Sequence, residues 1–383
     1  MKVLVISHTY IARINRDKWK VLASRYPTHT LTVIIPQRWP THLFVHEAGT
    51  VSEENLPNCT FIALPTAHSG NEVRYRYPLR ALLGIIKNTK PDLIHVEQGD
   101  NALSYFESII CSKFLRSTTK TVFFTWINWR PQFSLKYRLF WKPIEHYNLS
   151  HAHGAIAGNN DAKIILEEKK FTQPIMVLPQ LGVNCTIFTP TLKTHNNLTI
   201  GYIGRFVEEK GIMLLLSAFA ELSPQFPQWH LTLVGDGPLH KHMQEFITQH
   251  HLEKRVAIKP PVTHHEVASL MQQLNLFVLP SFDTTEWKEQ FGHVLIEAMA
   301  CKIPVLGSTA GEIPHVIGNA GALFEQKNYS SLVAQLSSLL HNESLRISLG
   351  EKGYHRATTY YSHEAIADAT VTFWHHIVGS NIV

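Results

Sequence analysis

Residues 204–211 read GRFVEEKG, directly behind an apolar run (Leu198, Ile200, Tyr202, Ile203) and ahead of an amphipathic one (Ile212, Leu215, Leu216, Phe219, Ala220). This order predicts a strand, a turn and a helix, with Arg205 and Lys210 as two cations in the turn. In an open α/β sheet, strand ends and helix N-termini converge on one ligand crevice, and helix N-termini attract anions. Arg205 and Lys210 therefore stand where a diphosphate would be met.

Outward from that turn the same rhythm continues. Apolar strands are expected at 198–203, 230–234, 256–258, 276–279 and 304–307, with helical stretches between them. The first half alternates likewise, with strands at 3–7, 31–35, 93–96, 122–125, 155–157 and 175–178. Such alternation predicts parallel sheets covered by helices. A chain of 383 residues exceeds one ordinary core. The expected organisation is an N-terminal α/β domain over 1–181, a linker over 182–190 (GVNCTIFTP), a C-terminal α/β domain over 191–361, and a C-terminal helix over 362–383, a candidate to cross back to the first domain.

Behind the strand at 276–279 comes PSFDTTEWKEQFGHVLIEAMACKIPVLGS, in which Glu289 and Glu297 flank Phe291-Gly292. Gly292 lets backbone approach a ligand, and a helix from about His293 to Cys301 would present unpaired N–H groups to phosphate. Glu297, more than one turn inside that helix, can accept two hydrogen bonds from a vicinal diol, and Glu289 can hold sugar hydroxyls. Each glutamate taken alone reads more readily as an ordinary surface or helix-start acid than as a ligand.

Together these motifs resemble the retaining glycosyltransferases of family 4. GRFVEEKG is similar to their GRxxxxKG, VGDGP (Val234 to Pro238) to the turn after their next strand, Glu289 to Glu297 to their two-glutamate signature, and GVNCTIF to their GVDxxxF. The resemblance implies the GT-B architecture, two Rossmann-like β/α/β domains facing a central cleft. It implies transfer of a hexosyl unit, with retention, from a UDP-, GDP- or ADP-sugar to a sugar or lipid-linked sugar acceptor, in cell-surface or exopolysaccharide assembly. Arg205, Lys210 and Glu289 would be catalytic, the cations stabilising the departing diphosphate. Glu297 would bind ribose, with Gln290, Phe291, Gly292 and His293 adding main-chain contacts, and Gly204, Gly235 and Gly237 shaping the nucleotide pocket. In this family the departing phosphate oxygen helps to deprotonate the acceptor, so no protein nucleophile is implied. The sequence has no Asp-x-Asp pair for a divalent ion, and neither a metal nor another cofactor is expected.

The first half says less about chemistry. SHTYIARINRDKW after the first strand lacks a glycine-rich dinucleotide loop, and His8 and Thr9 are acceptor-side candidates only because they follow that strand. At the end of the strand over 122–125 many relatives carry a histidine, where this chain has Trp126, Ile127 and Asn128. Asn128 can hydrogen-bond a sugar but cannot act as a base. Aromatics mix with cations between Trp126 and Trp141 (Arg130, Lys136, Arg138, Lys142) and in RYRYPLR (Arg74 to Arg80), which suggests peripheral membrane contact.

Composition bounds the alternatives. Hydrophobic residues at 44% and charged ones at 17% describe a folded globular chain. The four scattered cysteines form no CxxC pair, and MKVLVISHTY is too short an apolar run for a signal peptide, so a cytoplasmic protein is expected, with the cytoplasmic membrane face as a candidate peripheral site. No apolar run reaches the ~20 residues of a membrane span. A charge of +5 without a basic stripe gives no reason to expect nucleic acid, and the His pairs lack zincin spacing. Two rivals remain on the same architecture, a nucleotide-sugar epimerase and a non-catalytic nucleotide-sugar-binding module.

Overall fold

The computed structural model describes residues 1–40, 45–47, 54–130, 135–191 and 198–379. They cluster into two units, 1–182 with the C-terminal residues from His363, and Val183–Ser362. Each is a parallel sheet covered by helices, the Rossmann-like plan that the resemblance implies for both domains.

The first unit holds strands β1 (Lys2–Ile6), β2 (Thr30–Pro36), β3 (Arg38–Pro40), β4 (Val45–Glu47), β5 (Cys59–Leu64), β6 (Leu93–Val96), β7 (Lys120–Thr125), β8 (Gly154–Ala157) and β9 (Ile175–Val177). β3 and β4 pair antiparallel by themselves, and the other seven form one parallel sheet in the order β5-β2-β1-β6-β7-β8-β9. Val3, Leu4, Val5 and Ile6 are all buried, because a central parallel strand is covered on both faces and reads as a continuous apolar run. Strand order reverses beside β1, so the turns after β1 and β6 share a crevice.

The second unit repeats the plan with β10 (Leu198–Ile203), β11 (Trp229–Val234), β12 (Val256–Lys259), β13 (Leu276–Leu279), β14 (Val305–Ser308) and β15 (Ala322–Phe324), in the order β12-β11-β10-β13-β14-β15. Its reversal lies between β10 and β13, which puts GRFVEEKG and the segment carrying both glutamates on one crevice. Residues 183–190 cluster with this unit, and Phe188 is fully buried.

The C-terminal helix His363–Val378 belongs to the first unit. It lies on the helix Asp17–Arg25, where the Trp19 and Trp374 rings stack at 5.8 Å and Arg25 donates to Asp368 at 2.6 Å. Strand β5, the β3-β4 ribbon and β15 were not among the expected strands.

Candidate functional site

After β10 the chain makes one short helical turn, Glu208–Lys210, and enters the helix Ile212–Leu222 through Gly211 in the left-handed region (φ 67°). A Cβ at Gly211 would overlap the carbonyl oxygen of Pro280, so glycine is what lets the turns after β10 and β13 touch. Phe282 N–H closes that contact by donating to Glu209 O at 2.8 Å. The helix His293–Ala300 starts the same way, from left-handed Gly292 (φ 78°). Neither helix has a side-chain cap at its N-terminus, the end of a helix that favours an anion.

Lys210 and Glu289 meet at this junction. Lys210 Nζ donates to Glu289 Oε2 at 2.6 Å, Ser281 Oγ donates to the same oxygen at 2.9 Å, and the ammonium lies 4.8 Å from the centre of the Trp287 ring. Both ion-pair partners are largely withdrawn from water, with side chains 15% and 9% exposed. The Glu289 carbonyl accepts from Glu312 N–H at 3.0 Å, which ties the loop to the next turn. Arg205, by contrast, is 59% exposed and stands 3.8 Å from Glu209. A movable cation and a fixed one thus occupy the same turn.

Glu297 is buried, and burial pushes its carboxyl up to about 8. Its Oε1 lies 3.6 Å from His293 Nε2 and 3.7 Å from His264 Nδ1. Gly204, Gly235 and Gly237 do something more specific than leave space. Gly204 N–H donates to Val234 O and Phe206 N–H to Asp236 O, and a Cβ at Gly235 (φ 148°) would overlap the Gly204 carbonyl. They let the turns after β10 and β11 lie against each other. Phe291 is buried with its ring edge-on to Tyr361 at 5.5 Å, and Gln290 lies between it and Glu289 in the chain.

In the first unit the turn after β1 carries a second polar cluster. Gln180 Nε2 donates to Thr9 Oγ1 and Glu97 Oε2, each at 3.0 Å, and Trp126 Nε1 donates to Gln180 Oε1 at 3.1 Å. Lys18 reaches the buried Glu97 at 2.8 Å, and Tyr10 OH also donates to Glu97. His8 stacks on Trp39 at 4.4 Å and accepts from Gln98 on Nδ1 at 2.7 Å; burial lowers its imidazole below the usual value, against the pull of Glu72. Asn128 is buried nearby in the chain, behind Trp126.

The expected surface patch at Arg74 to Arg80 is corrected. Tyr75 and Tyr77 are core residues, edge-on to each other at 5.7 Å, with Trp39 against Tyr75 at 5.1 Å, so their rings cannot settle at a membrane surface. Leu139 and Phe140 of the other cluster are exposed, whereas the side chains of Lys136 and Arg138 lie outside the described residues. No helix among the described residues is long and apolar enough to cross a membrane. Sequence reasoning missed Ser281, Trp287 and His264. Only His264 had a local signal, the T-x-x-E box of Thr263 and Glu266 that starts its helix.

Residues 186–356 match the model of the family described as Glycosyl transferases group 1. An uncharacterized glycosyltransferase of Methanocaldococcus jannaschii is 30% identical over 223 residues, 57% of this chain and 58% of that protein. The capsular polysaccharide biosynthesis glycosyltransferase CapM of Staphylococcus aureus is 29% identical over 178 residues, 45% of this chain and 44% of its own length. The chain therefore spans about half the length of these curated relatives. Among solved structures, Anabaena HepE in complex with UDP shares the fold with a TM-score of 0.72 at 17% identity, covering 98% of this chain and 100% of that one.

Proposed function

We propose, from the match of residues 186–356 to the Glycosyl transferases group 1 family, that the chain is a retaining hexosyltransferase using a nucleotide-diphosphate sugar. The observation that carries the reading is the Lys210–Glu289 contact at the strand-order reversal of the second unit, 2.6 Å long and bounded by two uncapped helix starts. An anion entering there meets Lys210, Arg205 and first-turn N–H groups. Donor binding then draws Lys210 from Glu289 toward the diphosphate, and Glu289 is released to accept from the hydroxyls of the transferred sugar. Charge that grows on the leaving phosphate is stabilised by groups already in place.

Glu297 is the ribose ligand in this reading, and His8, Thr9 and Asn128 serve the acceptor, a sugar or lipid-linked sugar. The two cations do the neutralising that a divalent ion does in other transferases, so turnover is independent of metal. UDP and UDP-glucose bound to Anabaena HepE favour a uridine donor, and the relative named for capsular polysaccharide biosynthesis favours a role in cell-surface polymer assembly at the cytoplasmic membrane face.

A thermal-shift panel with UDP-, GDP- and ADP-sugars, with and without chelator, tests the donor site. A ligand at a hundredfold excess over its dissociation constant adds about 2.7 kcal/mol of stability. One nucleotide should shift the protein equally with chelator present and much less in Lys210→Ala. No shift with any nucleotide sugar would sink the reading.

A further inference from the structure

Glu297 presents a chemical problem that the donor reading does not solve. To accept one ribose hydroxyl on each of its two oxygens, its carboxyl must be ionised, yet its burial holds the proton on at neutral pH. The proton needs a destination within reach. His264, the first residue of the helix His264–Gln273, comes from the turn after β12, and its ring packs edge-on to the buried Phe188 at 4.9 Å. Its Nδ1 stands 3.7 Å from Glu297 Oε1, so a shift of under about 1 Å brings the two to hydrogen-bond distance.

We propose that His264 accepts on Nδ1 the proton that Glu297 releases when nucleotide binds, and so acts as a positioning residue for the ribose. The inference rests on the reading of Glu297 as the ribose ligand. The carboxyl O–H bond breaks and an imidazole N–H bond forms, the electron pair stays on the carboxylate, and the net charge of the pair is unchanged. His264 must start as the Nε2–H tautomer. Binding then costs no net proton exchange with solvent, and the imidazolium holds the new carboxylate in register with the diol.

Other titratable groups surround Glu297. His293, on its own helix, is 3.6 Å away and is the competing acceptor. On the elements packed against that helix, Glu266 accepts from Thr263 and His265 is exposed, Glu312 pairs with His315, Arg356 donates to the carbonyls of Val316 and His315 and to Tyr361 OH, and Lys302 pairs with Glu351.

Calorimetric titration of the full chain with UDP at pH 7, in two buffers of different ionisation enthalpy, counts the protons released. Wild type should release close to none, and His264→Phe about one per UDP bound. In the variant, affinity should rise by about tenfold per pH unit between pH 6 and 8, where wild type changes much less. His264→Gln, which keeps polarity but takes no proton, should behave as His264→Phe does. Equal proton counts in all three proteins, or release that appears only in His293→Gln, overturns the inference while leaving the donor site standing. Wild type that binds none of UDP, GDP and ADP overturns both.

Discussion

Lys210 and Glu289 form the tightest charged contact of the second unit's crevice, and replacing either one tests two things at once. Removing one member of a buried pair strands the other, at a cost on the order of 3 kcal/mol. Lys210→Ala should therefore lose both stability and activity, with turnover down more than tenfold, over about 1.4 kcal/mol of transition-state stabilisation. The paired change Lys210→Met with Glu289→Met separates the two effects, since apolar side chains of similar volume should restore most of the melting temperature and none of the turnover. Arg205, at 59% exposure, should lose turnover to a similar degree on change to Ala with an unchanged melting temperature. Wild-type turnover in both Lys210→Ala and Arg205→Ala would remove these side chains from the mechanism. Both cations and both glutamates were legible in the sequence because their spacing within strand-turn-helix units is local. Ser281, Trp287 and His264 were not, because what makes them matter is which turn lies opposite, and no stretch of sequence states that.

At the scale of elements, the crevice depends on turns from different strands coming into backbone contact. Gly211 is the clearest case, with a left-handed φ of 67° and no room for a Cβ against Pro280. Gly211→Ala should destabilise the unit by about 1 kcal/mol from backbone strain alone, with more from the displaced turn, and should weaken nucleotide binding because Lys210 is the preceding residue. A thermal melt and a UDP titration of the same variant check this, and a protein that keeps both values would show the contact to be dispensable. Most strands were legible as apolar runs, since parallel strands covered on both faces have little choice of residue. β15 escaped because three residues carry no period, and β5 because its run from Cys59 to Leu64 mixes Thr and Cys with the apolar positions. The C-terminal helix was legible as a helix, but its partner was not, because an apolar stripe does not name the surface that covers it. The stacked Trp19 and Trp374 rings are what decide it.

Across the whole molecule, the two units hold buried titratable groups whose pH effects run in opposite directions. His95 in the first unit is fully buried edge-on to the stacked Trp19 and Trp374 rings, and neither ring nitrogen has a hydrogen-bond partner among the described residues. Burial lowers its imidazole to about 4. The unfolded chain thus binds a proton that the folded unit refuses, so this group's contribution is intact above about pH 6.5 and is lost as pH falls toward the folded value. Glu297 in the second unit is raised to about 8, so there the folded state holds the extra proton. Its contribution is intact below the ordinary carboxylate range and declines as pH rises through neutrality to that value. Other buried acids add their own slopes, Glu107 in the first unit among them at about 7, so the clean comparison is between each variant and wild type. His95→Leu should gain stability over wild type at pH 5 by more than it does at pH 7.5, with the gain confined to amides of the first unit in hydrogen exchange. Glu297→Gln should gain at pH 8.5 more than at pH 5, in amides of the second unit. A gain that ignores pH, or one that spreads across both units, would mean that neither group titrates in the window its burial assigns to it.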